Sequence, residues 1–115
     1  LTCKCGCGLL NYDNEFLMRL EVFRALLGGR LKVTSGCRCK QHNTDVKGVE
    51  NSNHIAEGRA CTACDVVPLD NTLSETFANA CASGFFNEVI YYVNDGFIHL
   101  GCDSNKLKSF YQIKV

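Results

Sequence analysis

The sequence predicts an α+β fold, with two main helices packed on a small, mostly antiparallel sheet. Three observations lead there. Residues 13–28 and 71–84 carry apolar side chains at helical spacing. Short runs at 31–34, 64–67, 88–93 and 97–102 are rich in strand-favouring residues, and the last two flank a turn-forming Asn94-Asp95-Gly96. The chain of 115 residues has the length of one domain, not two.

Residues 1–12 (LTCKCGCGLLNY) alternate Cys with Gly and read as an irregular lead-in to a single domain spanning 1–115. From Asp13 the pattern becomes helical. Phe16, Leu20, Phe23 and Leu27 recur at steps of four, three and four, so they share one face. Asp13 or Asn14 can cap the start, Glu15 suits the positive end of the helix dipole, and Gly28-Gly29 stops it. Leu31-Lys32-Val33-Thr34 is a strand, broken at Ser35-Gly36. Residues 36–62 hold few apolar side chains and no sustained period beyond one helical turn near Lys40–Asp45; such long irregular stretches in compact domains tend to be functional. Cys64-Asp65-Val66-Val67 is a strand ending at Pro68. Asn71–Ser83 is the second helix, with Leu73, Phe77, Ala80 and Cys81 inward and Gly84 as its stop. The hairpin follows, and Lys108–Val115 alternates as a last strand.

Twelve Lys+Arg against twelve Asp+Glu leave no net charge, so there is no electrostatic case for nucleic acid or an anionic membrane. No apolar run approaches the ~20 residues of a membrane-spanning helix. A monomer is the expected state. Nine cysteines are the compositional outlier, and an odd count leaves at least one thiol free in a monomer. Disulfides or buried thiols are the favoured reading, and one of Cys37 and Cys39 can tie the lead-in to the rest. Cys61-Thr62-Ala63-Cys64 is a CxxC that keeps open a structural zinc with two other cysteines.

Three residues stand out chemically. His54 lies in the irregular segment, Asp65 interrupts an apolar strand, and His99 interrupts another. Two histidines and a carboxylate make a tetrahedral zinc site whose fourth position admits water. Zinc there lowers the pKa of water towards ~7 and polarises a carbonyl. Residue type alone leaves the alternative that Asp65 is an ion-paired strand residue and His99 a satisfied core histidine.

Motif context favours the zinc site. Val33-Thr34-Ser35-Gly36-Cys37-Arg38-Cys39 with Gln41-His42-Asn43 resembles the SGxR and HN opening of the M15-type zinc D-Ala-D-Ala metallopeptidases, the family of the hedgehog/DD-peptidase fold. Gly48-Val49, Asn51-Ser52-Asn53-His54, Gly58-Arg59-Ala60 and Asp65-Val66 are similar to that family's GGVxNSxHxxGxAxDV segment, and Gly96-Phe97-Ile98-His99-Leu100 to its GFVHVD strand. The resemblance implies a hedgehog/DD-peptidase-like zinc-binding fold in which His54, Asp65 and His99 bind Zn2+. It implies a peptidase that cuts peptidoglycan stem peptides next to a D-amino acid, as carboxypeptidase or endopeptidase, on a bacterial or phage-derived wall-degrading protein. Arg38 takes the SGxR position, where its guanidinium suits a substrate carboxylate or an oxyanion. Ser52 takes the SxH position and orients backbone or ligand.

The chain departs from this pattern in three places. About four extra residues lie between His54 and Asp65. The family's acid three residues before the last His is Gly96 here, which leaves Asp95 as the expected general base, with Glu57 and Glu88 as other candidates. The family's Asp two residues after the last His is Gly101 here, so another group must fix the tautomer of His99. The two glycines motivate the alternative of a non-catalytic, zinc-containing peptidoglycan-binding module. A third reading is a small structural zinc or disulfide protein with incidental histidines.

Overall fold

The computed structural model describes residues 13–35, 62–102 and 109–115. The expected helical turn near 40–45 and the lead-in at 1–12 lie outside them. Helix α1 spans Asn14–Leu27. Asp13 is its cap: the side-chain oxygen accepts from the Phe16 N–H at 3.0 Å. Gly28 ends the helix at φ 74°, a left-handed conformation that glycine adopts without steric cost, and its N–H donates to the Arg24 carbonyl. Strands β1 (Leu31–Ser35) and β2 (Ala63–Pro68) precede helix α2, Leu73–Ser83. The sequence places the start of α2 at Asn71. It begins two residues later because Thr72 forms a capping box with Glu75, each side chain bonding the other's backbone N–H. Strands β3 (Glu88–Tyr92), β4 (Phe97–Gly101) and β5 (Phe110–Lys114) complete the described elements. Neither helix is long and apolar enough to cross a membrane.

The sheet order is β1-β2-β4-β3-β5. The expected mostly antiparallel sheet is corrected to a mixed one. β1–β2, β2–β4 and β4–β3 pair antiparallel, but β5 runs parallel to β3, with Ile90 opposite Gln112. The reason is topological. β4 is already flanked on both sides, so the chain leaving it pairs next at the free edge of β3, in β4's reverse direction.

Alternate residues of each strand point to opposite faces. One face carries Cys64 and Val66 of β2, Val89 of β3, and Ile98 and Leu100 of β4, which pack with Phe16, Phe23, Ala80 and Phe86 into the core. The Phe86 ring meets Phe16 and Phe23 edge-on, with centroids 6.2 and 5.5 Å away. The inward residues expected of both helices sit here, with Leu20, Leu27, Leu73, Phe77 and Cys81 packed around the buried set. The helices therefore cover this face, and the intervening strand residues belong to the other one.

Candidate metal centre

On the face away from the helices, strand register brings distant residues together. Asp65 of β2 stands directly opposite His99 of β4. His99 is in turn opposite Ile90 of β3, and Glu88 is opposite Gly101. Glu88 is thus the diagonal neighbour of His99, within reach of a long side chain. The Asp65 Oδ1 lies 3.1 Å from the His99 Nδ1, and the Glu88 Oε1 lies 3.6 Å from the Nε2 on the other side of the ring. All three side chains are nearly buried, at 14% exposure for Asp65 and His99 and 8% for Glu88. A β-bulge between Val33 and Ser35 shifts the β1–β2 register so that Ser35, not Thr34, stands opposite Asp65.

Two buried carboxylates are costly unless they face positive charge. Burial alone lowers the pKa of His99, but its hydrogen bond with Asp65 and the adjacent Glu88 outweigh that and hold it up at about 9. A protonated His99 ring faces both acids. The half-buried Tyr92 hydroxyl is pushed up as well, by burial and then by the charges of Asp65, Asp95 and Glu88.

The arrangement suits a divalent ion at one position. Two ligand atoms at ~2.0 Å from a tetrahedral zinc stand ~3.3 Å apart. The Asp65 oxygen and the His99 Nδ1 are already at 3.1 Å, and one is a carboxylate and the other an imidazole, both common zinc donors. Among the described residues no three His, Cys, Asp or Glu side chains are placed to hold an ion together. The ring explains this: Asp65 and Glu88 address its opposite nitrogens and do not share a point. An ion there would need a third ligand from elsewhere; the expected one, His54, lies outside the described residues, as do Arg38, Ser52 and Glu57.

Asp95 is exposed in the Val93–Gly96 turn. Gly96 sits at φ 74° there and its N–H donates to the Tyr92 carbonyl, so the position three before His99 requires a left-handed residue. Any side chain at that position carries the strain of a left-handed backbone. Sequence reasoning weighed Glu88 only as a base and missed its contact with His99. The signal was the hairpin: a tight turn at 94–95 sets the register that pairs Ile90 with His99, and Glu88 lies two residues before Ile90 on the same face. Cys64, the second residue of the CxxC, is fully buried on the helix side. Burial, with Asp65 and Cys102 nearby, pushes its thiol up, and the first residue of the motif, Cys61, lies outside the described residues.

No curated protein and no solved structure matches the chain. A family model described as Peptidase M15 matches residues 1–101 of the 115, a span that includes the lead-in, both histidine segments and the Asp65 strand. The chain belongs to the peptidase M15 family, whose members are in general zinc-dependent peptidases acting on peptidoglycan.

Proposed function

We propose that the protein is a zinc peptidase that hydrolyses peptidoglycan stem peptides next to a D-amino acid, with His54, Asp65 and His99 as the metal ligands. The observation that carries this reading is the convergence of Asp65 and His99 from separate strands, at the separation two ligands of one ion have. Zinc bound there supplies Lewis acidity, which acidifies water and polarises the scissile carbonyl. The chain's own groups do the rest. Arg38 holds negative charge on the substrate, Ser52 orients the segment before His54, and Asp95 takes the proton from the attacking water and returns it to the leaving amine. Asp95 stands exposed in its turn, open to solvent. Glu88 is nearly buried on the Nε2 side of His99, away from the Asp65 oxygen, and does not suit that transfer.

The test is metal content with muropeptide digestion, comparing the wild type with His99→Ala. The expected result is one zinc per wild-type chain with cleavage, and loss of both in the variant. Unchanged zinc in His99→Ala overturns the ligand assignment. Zinc in the wild type without cleavage of any muropeptide leaves the binding-module alternative.

A further inference from the structure

We propose that Glu88 is the positioning residue that fixes the tautomer and orientation of His99, and that Gly101 is glycine to make room for it. The proposal deepens the zinc-peptidase reading and rests on it. The His99 Nδ1 faces Asp65, so a metal shared with Asp65 needs the lone pair of Nδ1, and the ring proton must then sit on Nε2. A buried N–H needs an acceptor. The nearest acidic oxygen described on that side is the Glu88 Oε1, at 3.6 Å in the metal-free chain, an ion-pair distance that shortens to a hydrogen bond with a small side-chain rotation. A carboxylate accepting from the distal nitrogen fixes which nitrogen carries the proton and makes the other a better donor to the metal.

Gly101 supplies the second, independent observation. It stands directly opposite Glu88 across the β3–β4 ladder. A Cβ at this position would lie 2.5 Å from the Glu88 Oε1, 3.3 Å from the Glu88 Cβ and 3.2 Å from the His99 Nε2. The left-handed glycines among the described residues are Gly28, Gly84 and Gly96, so backbone conformation does not demand glycine at 101. What stands where a Cβ would go is the Glu88 carboxylate beside the imidazole. The acid that supports the last histidine thus comes from the neighbouring strand and not from two residues along the same one.

The test measures zinc affinity by competition with a chelator, and the ring nitrogens of His99 by 15N NMR, in the wild type and in Glu88→Gln, Glu88→Ala, Gly101→Ala, the Glu88→Ala/Gly101→Ala double variant and His99→Ala. Glu88→Ala is expected to weaken zinc binding by about 10–100-fold. Glu88→Gln loses less, because its amide oxygen still accepts. Gly101→Ala displaces the carboxylate and behaves like Glu88→Ala, while the double variant is no weaker than Glu88→Ala alone. In the zinc-loaded wild type the Nε2–H is held by Glu88 and exchanges slowly with water; in Glu88→Ala it loses that acceptor and exchanges faster. Zinc affinity within twofold of the wild type in Glu88→Ala, with binding lost in His99→Ala, overturns the proposal and leaves the metal reading intact. Zinc retained in His99→Ala sinks that reading instead. Thermal unfolding checks the fold of each variant, and Glu88→Gln with Gly101→Ala carries the comparison should Glu88→Ala not fold.

Discussion

The two faces of the sheet are built by alternate residues of the same strands, and they are held by different physics. Towards the helices, Cys64, Val66, Val89, Ile98 and Leu100 meet Phe16, Phe23 and Phe86, and the gain scales with apolar area removed from water, whatever the direction of approach. The buried polar Thr76 fits there because its hydroxyl donates to the Thr72 carbonyl at 2.8 Å. On the opposite face, Asp65, Glu88 and His99 are nearly as buried, beside the apolar Ala63 and Ile90, and their charges are not stabilised by area. The charges depend on partners at set distances, Asp65 at 3.1 Å and Glu88 at 3.6 Å from the His99 ring among them. Such a face is tolerated in a small domain when the charges serve a bound ligand. The two faces should accordingly fail in different ways when changed: the helix face by loss of stability, the other by loss of metal and by a change in pH response.

Phe86→Ala gives the largest expected effect on stability. The ring is 1% exposed and sits between Phe16 and Phe23, so its removal leaves a cavity and costs about 3–5 kcal/mol. Urea unfolding measures that loss. Zinc affinity of the folded fraction should stay within a few-fold of the wild type, because Phe86 contacts the other side of the sheet. A joint loss of metal would mean that the faces are coupled and that the core positions the ligands.

The fold was largely legible in the sequence wherever the signal was local. Asp13, Gly28 and Gly84 mark helix ends through their own backbone preferences, and both helices lie where their apolar spacing puts them. The candidate site was legible as residue types, since Asp65 and His99 each interrupt an apolar strand. What was not legible depends on partners far along the chain. The parallel pairing of β5 with β3 follows from which sheet edge is free, and no residue in 108–115 carries that information. The role of Glu88 follows from a cross-strand diagonal, so it appears only once the hairpin register is known.

The pH response sharpens the same contrast. The ordinary histidine pKa is 6.5, and the fold holds His99 at about 9. The folded metal-free chain binds this proton more tightly than the unfolded chain does. The resulting stability is complete below pH 6.5 and fades as pH rises through 9. Metal-free protein should lose on the order of 2 kcal/mol between those limits in urea titrations, and His99→Gln should flatten the slope. Zinc affinity should move the opposite way over the same interval, since the proton must leave before the nitrogen can bind an ion. A metal-free stability that is flat across this range would mean that His99 is not protonated between its two acids.

The smallest expected effect is the most discriminating, because it compares neighbours in sequence that sit on opposite faces. Cys64 is next to Asp65, is completely buried among apolar side chains, and carries a thiol held neutral by that burial. Cys64→Ala should therefore cost about 1 kcal/mol, the value of a small buried group, and leave metal content unchanged. A cobalt-substituted sample should show no thiolate charge-transfer band in either protein. A fall in metal content, or a band present in the wild type and absent from the variant, would move the ion to the CxxC and turn Asp65 and His99 into a structural ion pair. With metal content unchanged, one peptide bond separates a residue that serves packing from one that serves chemistry, and the pleat of β2 accounts for the difference.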